Sequence, residues 1–342
     1  MKLKEADTQA DLVYFEGEAK SVMNSPTATG MGFWSINPYV GCAFACSYCY
    51  APYAHRYAVE RSLAEKPNEA LRTQFQELPA QVAFSRRIIV KRNAADVLRQ
   101  ELAPGRAKRL ALERGETLLI GSATDPYQPA ERRFRLTRGM LEVLASVRSL
   151  DLCIITKSPL IARDVDVLAQ IASHATVSVH LSLITVDRDL ARRIEPRAPT
   201  PESRLRALRR LSAAGIAVGI NVMPVLPGIT DDPNGLELLV RSVKDAGARH
   251  VGACTLRMRA DTRQRYLDML RLEFPELLPR YRAAYAKGFA VNENYQAGLK
   301  RFMRRLCDRV GIEYGHRSSE NSEKTGAAEA GEWQLDLFAR GT

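Results

Sequence analysis

Thr176-Val177-Ser178-Val179-His180-Leu181-Ser182-Leu183-Ile184 is the stretch from which the fold can be read. In an extended chain successive side chains point to opposite faces, so Val177, Val179, Leu181 and Leu183 share one face while Ser178, His180 and Ser182 share the other. One face packs against apolar neighbours and the other lines something wet. Working outward, residues 150–157 alternate similarly and put Lys157 with Cys153 and Ile155; residues 216–223 put Asn221 with the small Ala217 and Gly219. Further strands are predicted at 87–91, 117–121 and 250–257, and residues 31–40 read as an extended segment running into Gly41-Cys42. Helical patterns at 138–147, 164–173, 203–214 and 236–246 separate the strands. Strand and helix in alternation imply a parallel sheet with right-handed crossovers, open or curled. A curled sheet around a polar ligand accounts for the two-faced strands better than a dry core does. The fold class is therefore α/β, a partial (β/α)6 TIM-like barrel.

The barrel is assigned to residues 31–260, after an N-terminal arm over 1–30. Residues 261–315 turn helical and aromatic, with Tyr266, Phe274, Tyr281, Tyr285, Tyr295 and Phe302, and read as a helical C-terminal cap. Residues 316–342 are rich in Ser, Glu, Gly and Ala and read as a disordered tail. With 46% hydrophobic and 26% charged residues among 342, the chain can bury a full core. No uninterrupted apolar stretch approaches the roughly 20 residues of a membrane span, so no membrane association is expected and the cytoplasm is the expected location. Six cysteines, three of them within eight residues, do not make the spread framework of a secreted disulfide protein. They favour a reducing compartment and a metal role, with Cys153, Cys254 and Cys307 expected to stay reduced and buried. The net charge of +11, from 50 Lys+Arg against 39 Asp+Glu, suits a polyanionic partner and equally suits solvated arginine-rich helix faces.

Cys42, Cys46 and Cys49 stand at C-x3-C-x2-C spacing. Three such thiolates can wrap one face of a [4Fe-4S] cubane and leave one iron without a protein ligand. Structural zinc takes four protein ligands, and no fourth Cys or His stands at suitable spacing; His55, six residues on, is the nearest. An open iron can chelate the amino and carboxylate groups of S-adenosylmethionine and pass an electron into its sulfonium, releasing a 5′-deoxyadenosyl radical.

The triad, with Tyr48 as the aromatic before its third cysteine, resembles the radical S-adenosylmethionine (SAM) superfamily. Asn37-Pro38-Tyr39-Val40-Gly41-Cys42, Cys49-Tyr50-Ala51, Thr124-Asp125-Pro126, Thr156-Lys157 and Glu195-Pro196 followed by Arg204-Leu205 together resemble its spore photoproduct lyase-like branch, over about residues 20 to 260. The resemblance implies a barrel of the radical SAM type. It implies that Cys42, Cys46 and Cys49 hold the cluster, that Lys157 and Ser182 bind the cofactor's carboxylate, and that Ser122 or Thr124 lies near its amino group. Tyr48 would contact the adenine, and Tyr48 and Tyr50 would relay the radical. An electron donor such as flavodoxin or ferredoxin is implied as well. In that branch a cysteine after the second barrel strand returns a hydrogen atom; alignment on Asp125-Pro126 puts Ser122 there, and an alcohol O–H bond is too strong for that step. Cys153, on the neighbouring strand, is a possible substitute and equally a buried inert thiol. Arg197 and Arg204, around Glu195-Pro196, are candidates to hold a loop at the barrel mouth.

Near the end, Gln334-Leu335-Asp336-Leu337-Phe338 resembles the pentapeptide with which bacterial repair and polymerase proteins dock on the DNA sliding clamp. Leu337 and Phe338 supply apolar anchors and Gln334 a polar hook, on a tether long enough to reach. The same residues could instead fold back on the barrel. Basic charge and docking peptide both point to DNA, with a lesion-bearing base flipped into the barrel mouth. Arg192-Arg193, Arg209-Arg210 and Arg304-Arg305 could contribute phosphate contacts or be solvated helix faces. The expected function is thus radical SAM chemistry on a DNA lesion. The alternatives are radical modification of a protein or small molecule, and a clamp-associated iron–sulfur accessory protein without turnover.

Overall fold

Two sheets organise the computed structural model, which describes residues 3–9, 11–53, 59–60, 73, 75 and 78–315. In chain order the strands are β1 (Leu3–Gln9), β2 (Leu12–Gly17), β3 (Met23–Asn24), β4 (Trp34–Ile36), β5 (Tyr39–Val40) and β6 (Arg87–Lys91). There follow β7 (Thr117–Ile120), β8 (Asp151–Thr156), β9 (Thr176–Ser182), β10 (Ala217–Val225), β11 (His250–Thr255) and β12 (Glu313–Tyr314). The large sheet runs β12-β11-β10-β9-β8-β7-β4-β3. All its pairings are parallel except that of β3 with β4. Helices Leu136–Leu144, Val165–Ala172, Pro201–Ala213, Pro233–Asp245 and Glu293–Val310 return the chain between successive strands from β7 onward. Strands β4 and β7 to β11 supply the six β/α units of the expected partial barrel.

The alternation read in residues 176–184 is what builds it. Val177, Val179, Leu181 and Leu183 are buried in the main apolar core against the surrounding helices. On the inner face, His180 pairs in register with Gly219, and Gly219 with His250. The two imidazole rings stand 5.0 Å apart, and a Cβ on Gly219 would come 2.0 Å from His250 Nε2, so only glycine leaves space for that ring.

Two expectations change. Residues 87–91 are a strand, but not of the barrel: β6 lies in a second sheet of order β1-β2-β6-β5, parallel to β2 and antiparallel to β5. The barrel's first strand is β4 instead. Ile89 faces one apolar cluster with Val13 and Phe15, while Ile88 and Val90 face another with Tyr14 and Tyr39. A strand apolar on both faces suits any interior slot, so its pattern does not say which sheet it joins. The first thirty residues are correspondingly more than an arm, because β2 is an interior strand of this second sheet.

Helices Ala260–Glu273 and Leu278–Ala284 follow β11. Their Tyr266, Leu270 and Tyr281, with Tyr285 and Tyr295 beyond, form a second apolar cluster that takes in Phe44, Cys46 and Tyr48. This C-terminal region therefore packs directly on the cysteine loop. Residues 316–342, including Gln334–Phe338, lie outside the described residues. Among the described residues no helix is long and apolar enough to cross a membrane.

Gly121, closing β7, has φ +98°, and a Cβ there would meet the Ile155 carbonyl oxygen at 2.4 Å and Pro126 Cδ at 2.9 Å. Gly121→Ala should therefore lose about 1–3 kcal/mol to backbone strain and a further ~1–3 kcal/mol to overpacking, read by urea denaturation. Gly105→Ala, at φ +78° with nothing within 4 Å, isolates the strain alone and should lose distinctly less.

Candidate active site at the cysteine loop

The loop of the three cysteines leaves β5 at Gly41, whose φ is +93° and whose Cβ position would fall 2.7 Å from the Phe84 carbonyl oxygen. The Gly41 carbonyl accepts hydrogen bonds from Thr124 Oγ1 (2.5 Å) and Gln128 Nε2 (3.0 Å), and Gln128 Oε1 accepts from the Ala43 N–H at 3.0 Å. The Cys42 N–H donates to Phe84 O and the Ser47 N–H to Ile194 O. Thr262 Oγ1 donates to the Cys49 carbonyl at 3.0 Å, and Arg265 Nη2 donates to the carbonyl of Ala45. Ala45 is left-handed at φ +57°, a conformation uncommon for a residue with a side chain. Groups from the strand-end loop after β7, from the helix ending at Ile194 and from the C-terminal region thus fix the loop's backbone before any cofactor is considered.

Around it the barrel strands deliver polar groups at their C-terminal ends. Lys157 follows β8; its ammonium lies 5.5 Å over the Tyr48 ring, and its backbone N–H donates to Asp125 Oδ2 at 2.7 Å. Asp125 Oδ1 accepts from Thr156 Oγ1 at 2.7 Å, which ties the turn after β7 to the end of β8. The Tyr48 hydroxyl donates to Glu195 Oε1, and Glu195 pairs with Arg204 at 2.5 Å with both side chains almost wholly buried. Arg204 Nη1 donates onward to the Ser182 carbonyl at 3.0 Å. Ser122 Oγ accepts from Asn37 Nδ2 at 3.0 Å, and its carbonyl accepts from the Tyr50 hydroxyl at 2.5 Å. Tyr48, Tyr50, Ser122, Thr124, Lys157 and Ser182 therefore meet around Cys42, Cys46 and Cys49 at one end of the barrel.

Electrostatics separates two environments. Burial pushes all three thiols up, Cys46 to about 12. Free cysteines there are protonated at neutral pH, and iron binding would release their protons. Burial works against the Lys157 charge, but a Cys46 thiolate and Glu195 beside it more than restore it. Burial alone would also raise Glu195; Arg204 and Lys157 outweigh it and hold the carboxyl below its ordinary range.

Among the described residues no three His, Cys, Asp or Glu side chains are gathered to hold a single metal ion. A single zinc needs its sulfurs about 2.3 Å from one centre, whereas a cubane binds each thiolate at a separate iron and spreads them. Arg265 Nη1 is buried with no hydrogen-bond partner among the described residues; burial works against its charge, and Cys49, Cys46 and Cys42 favour that charge once they are thiolates. A largely desolvated triad beside a guanidinium that is anchored on the Ala45 carbonyl and has an N–H to spare fits a negatively charged thiolate-ligated cluster.

The chain belongs to the radical SAM superfamily, whose family model matches residues 36–238, more than half of the chain. It is a radical SAM enzyme, and membership brings a [4Fe-4S] cluster and S-adenosylmethionine as cofactors. The uncharacterized protein Rv2578c of Mycobacterium tuberculosis is 34% identical over 308 residues, spanning 90% of this chain and 83% of that one. The uncharacterized protein MJ0683 of Methanocaldococcus jannaschii is 28% identical over 214 residues, spanning 63% of this chain and 68% of that one. Among solved structures, spore photoproduct lyase complexed with dinucleoside spore photoproduct superposes with a TM-score of 0.56 at 16% identity, covering 87% of this chain and 80% of that one. A mutant of the same lyase with bound AdoMet and dinucleoside spore photoproduct gives 0.54 at 16% identity, over 82% and 75%. At such identity the likeness is one of fold.

Several roles read differently in the structure. Thr124 spends its hydroxyl on the Gly41 carbonyl and so positions the loop. Arg204 holds the Glu195 turn as expected, whereas Arg197 reaches out to Asp11 at 2.7 Å. Cys153 is a poor substitute for the missing thiol: it faces inward opposite Ser178, but four residues below Lys157, roughly 13 Å down the strand at ~3.3 Å per residue. Cys254 is exposed, not buried, because near the end of β11 it shares a face with His250 and Gly252 and opens into a cavity. Its alternation with those two residues was the signal available in the sequence. Thr262, Arg265 and Gln128 carried no such signal.

Glu195→Gln would leave Arg204 buried without a counter-charge, and breaking such a pair costs about 3–5 kcal/mol. Because the folded carboxyl titrates below 4.5, the stabilisation it contributes is present above that pH and is lost as pH falls through the lower folded value. The gap between wild type and Glu195→Gln in urea denaturation should therefore be full near neutrality and shrink below about pH 4.5.

Proposed function

We propose that this enzyme uses a 5′-deoxyadenosyl radical on damaged DNA at the open end of the barrel. The observation that carries this reading is the continuous set of contacts from the cysteine loop through Tyr48, Glu195 and Arg204 to Ser182, with Lys157 beside it. Cys42, Cys46 and Cys49 would hold the cluster. Lys157, with the strand end at Ser182, would face the cofactor's carboxylate; Ser122 would lie towards its amino group and Tyr48 towards its adenine. When bound, the reduced cluster and S-adenosylmethionine supply the radical. The chain's own residues keep the loop dry, hold Lys157 charged and keep Glu195 ionised.

DNA as substrate is supported by the net charge of +11 and by a cavity of about 360 Å³ between the second half of β11, the end of β12 and helix Glu293–Val310. Arg257, Gln296 and Lys300 line it, a set that suits a phosphate-bearing ligand. The fold neighbour with a bound dinucleoside photoproduct points the same way. Cys254 lines that cavity and lies within electrostatic range of Tyr50. In this reading Cys254, not Ser122, gives its hydrogen atom to the substrate radical: the S–H bond breaks, a C–H bond forms, and the sulfur radical is reset by one electron and one proton from an external reductant. Flavodoxin or ferredoxin would suit as electron donor, and Gln334–Phe338 would tether the enzyme to the sliding clamp in the cytoplasm.

The test is anaerobic reconstitution, reduction with dithionite in the presence of S-adenosylmethionine, and quantification of 5′-deoxyadenosine with and without ultraviolet-damaged DNA. Damaged DNA should stimulate its formation, Cys46→Ala should abolish it, and DNA affinity should fall steeply with salt. Formation indifferent to any DNA would move the substrate to a protein or small molecule. Cys254→Ala should leave 5′-deoxyadenosine formation intact while diverting the substrate radical to by-products; an unchanged product ratio removes Cys254 from the scheme.

A further inference from the structure

Arg265 is a cationic side chain at the site whose guanidinium is only half used by its bond to the Ala45 carbonyl. It stands on helix Ala260–Glu273, which grips the cysteine loop from outside the barrel through Thr262 on the Cys49 carbonyl and Arg265 Nη2 on the Ala45 carbonyl. The two neighbouring cations have carboxylates to answer them: Arg204 has Glu195, and Lys157 has Glu195 and Asp125 within range. Arg265 forms no ion pair among the described residues and its Nη1 is buried without a hydrogen-bond partner there; burial disfavours its charge, and the groups placed to favour it, as thiolates, are Cys49, Cys46 and Cys42. An unanswered guanidinium in a dry site is costly unless something negative faces it.

We infer that Arg265 is a positioning residue that sets the reduction potential of the cluster, by presenting a charged N–H to its sulfurs while the other arm of the same guanidinium holds the Ala45 carbonyl. Net charge and hydrogen bonds to sulfur are what tune such potentials. A fixed positive charge favours the cluster with one more electron, and the low local dielectric strengthens the effect. Reduction is the step that gates all later chemistry, so Arg265 governs how strong a donor the enzyme needs. The C-terminal helices, in this account, cap the barrel and complete the electrostatics of its metal site.

The inference rests on the triad holding the cluster, and one experiment separates the two. Full-length wild type, Arg265→Met and Arg265→Gln are reconstituted anaerobically, assayed for iron, and titrated by electron paramagnetic resonance against solution potential, without S-adenosylmethionine or substrate. Glutamine keeps a donor for the Ala45 carbonyl and drops the charge. Both variants should show at least a tenfold smaller reduced-to-oxidised ratio at a given potential, a negative shift of about 59 mV for one electron. Should Arg265→Met take up no iron, Arg265→Gln decides by the same sign. Iron-replete variants that titrate with the wild type would overturn the inference and leave Arg265 as a prop for the loop. A wild type that binds no cluster would overturn the triad assignment together with it.

Discussion

Desolvation of three thiols in one short loop, Cys46 buried and Cys42 and Cys49 half-buried, is the constraint on which the rest of the site depends. Thiols so placed resist ionisation, with Cys46 pushed to about 12, so under the proposed assignment the loop would become a ligand set only as a metal centre replaces the protons. The backbone must wait for that event without collapsing. It is fixed by hydrogen bonds from elements far apart in the chain: Thr124 and Gln128 after β7, Ile194 and Thr262. Remove those and the loop has no reason to keep Ala45 in a left-handed turn.

A second layer of charge surrounds this loop. The buried Glu195–Arg204 pair links Tyr48 to the Ser182 strand end, so the loop's aromatic, the turn at Glu195 and β9 are tied together. Lys157 and Asp125 do the same between β7 and β8. A buried ion pair adds little net stability, but it orients what it touches. The outcome is a polar ring at the C-terminal strand ends, where TIM-like barrels carry their chemistry.

How much of this was legible depended on the range of the interaction. The alternation in 176–182 was readable because one face is dry and the other wet, and the spacing of Cys42, Cys46 and Cys49 could suggest a ligand set because a cluster's reach is local. Glu195 and Arg204 lie only nine positions apart, and they could be suspected as a loop clamp. Residues 87–91 could not be assigned to a sheet, since Ile88, Ile89 and Val90 are buried on both faces. Arg265 could not be found either: its partner Ala45 is 220 positions away, and on its helix it looks like Arg263 and Arg271. Contacts of that separation belong to the fold and leave no periodic trace.

The central claim is that the loop presents a three-cysteine cradle for a four-iron cluster with one open iron. Mössbauer spectroscopy of the anaerobically reconstituted protein, before and after S-adenosylmethionine, tests it most directly. The account predicts a cluster signal in which one iron in four changes environment when the cofactor is added, and loss of that signal in Cys42→Ala, Cys46→Ala or Cys49→Ala. Four irons indifferent to S-adenosylmethionine, or a single mononuclear iron per chain, would contradict it.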